Sequence, residues 1–181
     1  MKPKNPALII IDVQKGFQDP KWGKRNNPQA EQNIARLLAA WRKKHLPIFH
    51  VKNDSTEPDS PLRLGSPGNA INEIVQPLKN EPVLIKTVNS CFIGTNLEKR
   101  LRKLQIESVV IVGLTTDHCV STTVRMADNL GFKVWIVSDA TATFNRTGFN
   151  GKNYSAEHMH QLALVQLQDE FAIIVDTNHF L

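Results

Sequence analysis

One thiol follows a buried strand in the middle of the chain, and it is the side chain that most directly suggests chemistry. The β-branched run Val109–Val112 is typical of a strand that is covered on both faces. Thr116 and Asp117 are good N-cap residues for a helix that continues to about Leu130. Cys119 would then lie in the first helical turn, where unpaired backbone N–H groups and the helix dipole favour a thiolate and can hold an oxyanion. The segment predicts a cysteine-dependent enzyme.

Two further reactive side chains stand at the ends of predicted strands. Asp12 follows the apolar run Ala7–Ile11, and Lys86 ends the run that begins at Val83. Taken singly, an aspartate often forms a turn, a lysine is usually solvated, and a cysteine is often a small buried hydrophobe. The carboxyl ends of parallel strands, however, meet at one edge of a sheet. Convergence of Asp12, Lys86 and Cys119 there favours a catalytic interpretation.

Short apolar runs alternate with helical periodicity along the whole chain, which predicts a parallel sheet covered on both faces. The predicted strands are Ala7–Ile11, Pro47–Val51, Val83–Lys86, Val109–Val112, Phe132–Val137 and Phe171–Val175. Helices are expected at about 28–44, 95–104, 116–130 and 155–168. Right-handed crossovers then give an α/β fold, a three-layer α/β/α arrangement with a mostly parallel, six-stranded, Rossmann-like sheet. Because no linker or internal repeat is evident, residues 1–181 are predicted to form one domain.

Two segments are rich in turn-forming residues and interrupt this alternation. They are Asn53–Asn69 and Thr143–Asn153. In an open α/β sheet, the loops at the carboxyl ends of the strands surround the ligand crevice. Both segments leave such strand ends, so we expect them to form walls of the site.

Composition and charge exclude several classes of function. The net charge is +5, but its densest cluster, Lys99–Lys103, falls on a predicted amphipathic helix and has no accompanying nucleic-acid motif. We therefore expect a small-molecule substrate, and neither nucleic acid nor membrane as a partner. With only Cys91 and Cys119, the chain has no disulfide framework. Asp12 interrupts the first apolar run before it could serve as a signal peptide, so we expect a cytoplasmic protein.

Several motifs, in this order, resemble the isochorismatase-like cysteine hydrolases, the superfamily that includes nicotinamidases and N-carbamoylsarcosine amidase. The matching residues are Ala7-Leu-Ile-Ile-Ile-Asp12-Val-Gln-Lys-Gly-Phe17, Ile85-Lys86 with Ser90-Cys-Phe-Ile-Gly-Thr95, Gly113-Leu-Thr-Thr-Asp-His-Cys119-Val, Gly131-Phe-Lys-Val and Ser138-Asp-Ala140. The resemblance extends over almost the whole chain. It implies a catalytic triad of Asp12, Lys86 and Cys119, with a cis peptide bond between Leu114 and Thr115. It also implies an oxyanion hole formed by the Thr115 and Cys119 amides, and a homodimer or homotetramer.

The resemblance suggests a mechanism that uses a covalent intermediate. Cys119 sulfur would attack a carbonyl carbon while the oxyanion hole holds the developing charge. Asp12 would take the thiol proton, deliver it to the departing nitrogen, and then activate the water that cleaves the acyl-enzyme. Lys86 would hold Asp12 in place.

The protonation of the thiol can be judged from magnitudes. Lowering a cysteine pKa from ~8.5 to ~6 requires about 3.4 kcal/mol, whereas a helix N-terminus typically supplies ~0.3–1 kcal/mol. Lys86 favours the thiolate, but the negative charge of Asp12 opposes it. We therefore expect a neutral Cys119 thiol beside an Asp12–Lys86 ion pair, deprotonated as attack occurs.

Six other side chains are candidates for contact with the substrate. Each also has an ordinary structural explanation, such as core packing for the aromatic residues and turn or helix capping for the polar ones. Phe17 and Phe92 could clamp a planar group, and Asn53 could orient the substrate at the end of the second strand. The full set is Phe17, Trp22, Asn53, Phe92, Thr116 and His118.

One departure within the superfamily bears on the substrate. Nicotinamidases carry Asp-x-His-x-x-x-His after the second strand, as a metal site. The corresponding segment here, 53–60, contains no histidine. We expect no metal and no other cofactor, and nicotinamide becomes a weak candidate substrate.

Three functions remain to be compared. The leading one is a metal-independent cysteine hydrolase that cleaves a C–N bond of a small amide, imide or ureido compound. The second is isochorismatase-type vinyl-ether hydrolysis with Asp12 as the acid, although the true isochorismate hydrolases lack the cysteine. The third is a binding protein whose Cys119 senses oxidants, which the complete triad argues against.

Overall fold

The computed structural model describes residues 3–181, and its centre is a sheet of six strands that are all paired in parallel. Its strands are β1 (Ala7–Ile11), β2 (Ile48–Asn53), β3 (Val83–Lys86), β4 (Ser108–Leu114), β5 (Lys133–Ala142) and, last in the chain, β8 (Ile173–Val175). Two short strands, β6 (Arg146–Thr147) and β7 (Asn153–Tyr154), form a separate antiparallel hairpin. The order across the sheet is β3-β2-β1-β4-β5-β8. The predicted six-stranded sheet is confirmed, and it is all parallel rather than mostly parallel.

Helices cover both faces of this sheet. They are α1 (Ala30–Lys43), α2 (Leu97–Lys103), α3 (Ser121–Asn129) and α4 (Ala156–Val165). Along β1, Leu8 and Ile10 pack with α1, while Ile9 and Ile11 pack with residues of the other helices. Because both faces are buried, the central strands are apolar along their whole length. The three-layer α/β/α fold is confirmed.

Strands β2 and β3 are added on one side of β1, and strands β4, β5 and β8 on the other, so the direction of strand addition switches between β1 and β4. The connection after β1 leads to α1 on one face, and the connection after β4 leads to α3 on the other. In doubly wound sheets the crevice at this point is the usual ligand site. Asp12 follows β1 and Cys119 lies just beyond β4, so both border this crevice.

The start of the helix after β4 differs from the prediction. Residues Thr116–Val120 form a single π-helical turn, and α3 begins only at Ser121. Thr116 and Asp117 do not cap it, so that prediction is wrong. The Thr116 hydroxyl instead pairs with His160 Nδ1 at 2.9 Å, and Asp117 accepts a hydrogen bond from Arg146 Nε at 2.9 Å. Tertiary partners have replaced the local caps.

The loop that contains most of the first turn-rich segment is fastened to the end of β1. Gln14 Nε2 donates to the carbonyl groups of Asn53 and Asn69, at 3.0 and 2.9 Å. The second turn-rich segment contains β6 and ends at the first residue of β7, so it forms most of this hairpin. No helix among residues 3–181 is both long and apolar enough to cross a membrane.

Candidate active site

Asp12 is the first residue after β1. Its backbone N–H donates to the Val51 carbonyl at 2.8 Å, which continues the sheet pairing by one residue. Its φ is +51°, a left-handed conformation that aspartate tolerates better than most residues. The side chain is fully buried, and Oδ1 has no hydrogen-bond partner among residues 3–181. A buried carboxylate oxygen without a partner is placed to accept a proton.

Lys86 joins the acid to the thiol. Its Nζ donates to Asp12 Oδ2 at 2.6 Å and to Cys119 Sγ at 3.3 Å. The exposed fractions are 0% for Asp12, 1% for Lys86 and 9% for Cys119. The predicted convergence of the three side chains is therefore present, and of the three the cysteine has the most surface open to solvent.

Burial dominates the electrostatics of this cluster. It raises the pKa of Asp12, and the charge of Lys86 offsets this only in part. Burial acts to lower the pKa of Lys86, but the Asp12 carboxylate outweighs it and the pKa is raised. Burial, and then the negative charge of Asp12, raises the pKa of Cys119 to about 12. The directions for Lys86 and Cys119 support a charged lysine beside a neutral thiol, whereas the raised pKa of Asp12 runs against the ionised carboxylate of the expected ion pair.

The strand that leads to the thiol passes very close to β1. Gly113 has φ +122°, and a Cβ at this position would lie 2.0 Å from the Ile11 carbonyl oxygen, so only glycine fits. The next peptide bond but one, Leu114–Thr115, is cis, which confirms that prediction. The Thr115 carbonyl accepts N–H bonds from two residues of the π-helical turn, at 3.1 and 3.2 Å. The backbone before Cys119 is thus fixed at both ends.

The aromatic candidates Phe17 and Trp22 belong to a cluster of three rings. Phe17 lies 5.4 Å from Trp22 and 6.1 Å from Phe144, measured between ring centroids. Trp22 is also 5.9 Å from Phe144, and its indole N–H donates to the Gly16 carbonyl at 2.7 Å. Phe144 was not among the predicted site residues. These contacts give the cluster a packing role, and Trp22 keeps partial exposure.

Asn53 lies directly beside Lys86 in the register of β2 and β3. Its backbone N–H donates to Gln14 Oε1 at 2.9 Å, and its carbonyl accepts from Gln14 and Asn69. The side-chain Oδ1 is buried and has no partner among residues 3–181. Asn53 is therefore fixed in position while one of its acceptors stays open.

The remaining candidates are placed differently. Phe92 stacks on Phe132, with ring centroids 6.0 Å apart, and packs against the hydrophobic core. Thr116 is buried against His160. His118 has an exposed side chain 3.6 Å from the Asp117 carboxylate. Phe92 and Thr116 thus contact other side chains of the fold, and none of these three residues has a hydrogen bond to the Asp12–Lys86–Cys119 cluster.

Two features of the site escape the sequence patterns. Asn89 Oδ1 lies 3.6 Å from Cys119 Sγ, at hydrogen-bond distance for sulfur. Arg146, in the hairpin, binds Asp117 two residues before the nucleophile, and Asp117 also accepts from Thr143 Oγ1 at 2.5 Å. Both Asn89 and Arg146 are polar residues in connections that follow the carboxyl ends of sheet strands, β3 and β5 respectively. That location is the signal that could have suggested them.

A metal site would need a group of His, Cys, Asp or Glu side chains close together. Among residues 3–181, no three or more His, Cys, Asp or Glu side chains are grouped so that they could hold a metal ion. His50, the histidine closest in sequence to the 53–60 segment, is buried and paired with Glu81 at 3.0 Å.

Comparison with known proteins decides the family. The isochorismatase domain model matches residues 6–179. The chain belongs to the isochorismatase family. The resemblance drawn from the motifs around Asp12, Lys86 and Cys119 is confirmed at this level, and as a member of the family the protein is a hydrolase.

Individual isochorismatase-family relatives match over nearly their full length. The family protein YrdC of Bacillus subtilis is 49% identical over 175 residues, which cover 97% of this chain and 94% of that protein. Nicotinamidase 3 of Arabidopsis thaliana is 28% identical, covering 96% of this chain and 85% of the plant protein. A crystal structure of a family protein from Chromobacterium violaceum superposes with a TM-score of 0.94 at 42% identity, over 98% of this chain and 92% of that one.

Proposed function

We propose that this isochorismatase-family protein is a metal-independent cysteine hydrolase that cleaves a C–N bond of a small amide, imide or ureido compound. The observation that carries the proposal is the position of Lys86 Nζ, which contacts both the Asp12 carboxylate and the Cys119 sulfur in a buried cluster. This contact supports the proposed roles of Asp12 as the acid–base group, Lys86 as the cation and Cys119 as the nucleophile. The name of the plant relative, a nicotinamidase, supports amide chemistry.

The proposed reaction begins with the neutral thiol. As Cys119 sulfur bonds to the carbonyl carbon, its proton passes to Asp12, and the amides of Thr115 and Cys119 hold the oxyanion. Asp12 then gives the proton to the leaving nitrogen, and the C–N bond breaks to leave a thioester or thiocarbamate. Water, deprotonated by Asp12, then attacks the acyl carbon, the C–S bond breaks to release the carboxylic acid or carbamate, and Asp12 returns the proton to the Cys119 sulfur. Oδ1 of Asp12, which has no hydrogen-bond partner among residues 3–181, is available to accept and return these protons.

The pattern of open hydrogen-bonding groups suits a nitrogen-bearing substrate. The oxygens Asp12 Oδ1 and Asn53 Oδ1 are buried acceptors without partners among residues 3–181. Buried acceptors normally have a hydrogen-bond donor, so a ligand with N–H groups would supply the missing donors. Substrate contacts by Phe17, Trp22, Phe92, Thr116 and His118 remain part of the proposal. Nicotinamide stays a weak candidate, because the 53–60 segment lacks histidine.

The test is covalent trapping. The intact protein is incubated with a library of small amides, imides and ureido compounds, and its mass is followed together with ammonia or amine release. We expect an adduct on Cys119 with a turned-over compound, and loss of adduct and release in Cys119→Ser. A vinyl-ether compound is tested in parallel, and its hydrolysis, if it occurs and survives in Cys119→Ser, would instead favour the vinyl-ether alternative with Asp12 as the acid. Peroxide-induced mass shifts without any adduct would favour an oxidant sensor.

A further inference from the structure

The thiol proton of Cys119 has two candidate acceptors in the structure. One is the Asp12 carboxylate, which the proposed reaction requires. The other is Asn89 Oδ1, which lies 3.6 Å from Sγ and accepts a hydrogen bond from the thiol. The Asp12 carboxylate also interacts with the thiol by hydrogen bonding, and this interaction raises the pKa of Cys119. In the resting protein Asn89 and Asp12 therefore compete for the same thiol proton.

The short segment that contains Asn89 is anchored on both sides. Lys86, three residues earlier, is fixed by its contacts with Asp12 and Cys119. Cys91, two residues later, is fully buried, and its backbone N–H donates to Thr123 Oγ1 of α3 at 3.1 Å. The side chain of Asn89 itself is exposed. It therefore stands at the solvent side of the sulfur, where an incoming substrate would meet it.

We infer that Asn89 is a positioning residue that holds the thiol of Cys119 in its neutral form until a substrate displaces it. Its carbonyl oxygen accepts the S–H proton, and the same oxygen faces a thiolate with its lone pairs, which is unfavourable. When a substrate takes its place, the S–H bond turns to Asp12 and the proton can leave. The inference rests on the proposed function, because it assigns the proton to the base used there.

The charged and titratable groups near the sulfur also influence the pKa of Cys119. Asp12 disfavours the thiolate and Lys86 favours it, while burial disfavours it most. Cys91 is buried in the core, and burial raises its pKa as well. Asn89 adds a neutral contact on the exposed side, so its removal changes the thiol without disturbing the buried ion pair.

The experiment compares two variants that keep the size of the side chain. Asn89→Leu removes the acceptor, and Asn89→Asp replaces it by a carboxylate, so access to the sulfur is matched. The second-order rate of Cys119 alkylation by iodoacetamide is measured from pH 7 to 9.5, with peptide mapping to separate Cys119 from Cys91. We expect Asn89→Leu to react about 3- to 10-fold faster at each pH, and Asn89→Asp to react slower by a similar factor. Thr87→Ser, at an exposed neighbour, is the control and should match the native protein.

Opposite shifts in the two variants support the inference. Equal rates in both variants and the native protein, or shifts in the same direction, overturn it, because they would indicate no contact or a change in packing alone. Circular dichroism confirms folding, and Asn89→Gln provides a further variant in which the oxygen is displaced by one methylene. Alkylation reports the thiol without turnover, so failure to find a hydrolysed substrate would leave this result unaffected.

Discussion

At the scale of single residues, the site depends on a buried ion pair that neither partner could sustain alone. Asp12 and Lys86 are almost completely buried and 2.6 Å apart. Removing one partner from such a pair leaves an uncompensated charge in a low-dielectric environment. The same pair places the thiol between a base and a cation, so stability and chemistry depend on the same two side chains.

This leads to a prediction for Lys86→Met. The variant should lose about 3–5 kcal/mol of unfolding free energy at pH 8, as expected for a broken buried pair. Without the cation, burial raises the pKa of Asp12 further, and a carboxyl whose folded pKa is raised loses stability as pH rises through that pKa. The deficit should therefore shrink towards pH 5. Urea unfolding of the variant and the native protein at both pH values measures it.

The double variant Lys86→Met/Asp12→Asn is the decisive comparison. It removes the orphaned charge, so it should recover most of the stability that Lys86→Met alone loses, and the pH dependence should disappear. Lys99→Met, at an exposed position of α2, should change stability by no more than about 0.5 kcal/mol. Strictly additive effects of the two substitutions would contradict the ion-pair interpretation.

At the scale of elements, much of the architecture follows from local patterns. The apolar runs at Ala7–Ile11 and Val83–Lys86 have the predicted strand bounds in the structure. The sequence alone predicted the convergence of Asp12, Lys86 and Cys119, because the carboxyl ends of parallel strands lie at the same edge of the sheet. Strand β5 is longer than predicted, since it continues to Ala142 through residues with mixed burial.

What could not be predicted depends on contacts between distant residues. The π-helical turn is held by Thr116 and His160, which are 44 residues apart, and the thiol contact comes from Asn89 in a loop without periodicity. Capping preferences describe a helix in isolation, and here tertiary hydrogen bonds outweigh them. Phe92, at a motif position, packs against the core, a contact that the motif alone does not reveal.

The close approach of β4 to β1 depends on Gly113. In Gly113→Ala the new Cβ would meet the Ile11 backbone at 2.0 Å and the residue would retain a positive φ, so strands must shift. We expect a loss of about 3 kcal/mol or more in unfolding free energy. Gly131→Ala has a positive φ but nothing within 4 Å of the new Cβ, and should lose only about 1–2 kcal/mol. Equal losses in thermal or urea unfolding would contradict the steric argument.

Glu81 lies at the junction of α1, β2 and the loop before β3, and we expect its ionisation to make the stability of this junction depend on pH. Burial acts to raise the pKa of Glu81, but hydrogen bonds from Arg42, the Leu78 N–H and His50 outweigh it and lower the pKa to about 2. A carboxyl with a lowered folded pKa contributes stability above its ordinary value of 4.5, and loses it as pH falls towards 2. The contribution is about 3 kcal/mol at most.

The corresponding variant is Glu81→Gln. It should be less stable than the native protein at pH 7, and the difference in urea midpoint should narrow steadily between pH 4.5 and 3. Glu57→Gln, at an exposed loop position, serves as the control and should show neither effect. A Glu81→Gln difference that stays constant across this range would show that the ion pair with Arg42 is not what stabilises the junction.

At the scale of the whole molecule, the arrangement of apolar surface is uneven. β3 is an edge strand, and Val83 and Ile85 on its outer face are 40% and 52% exposed. Val88 and Ile93, which follow it, are also exposed. An exposed apolar edge is an association site unless it is protected by charge or covered by another chain. Together with the dimers or tetramers that the family resemblance implies, this favours a second copy of the chain as the cover.

The last prediction concerns this assembly. The native protein should have the mass of a dimer or tetramer by light scattering at tens of micromolar, and Val83→Lys should move it towards the monomer, because a charge at the centre of an apolar contact must be desolvated. Val165→Lys, at a 65% exposed valine on α4 far along the chain, should leave the mass unchanged. A native protein that is monomeric at this concentration would contradict the prediction outright. An oligomer that tolerates Val83→Lys but dissociates in Val165→Lys would place the contact on the helical face instead.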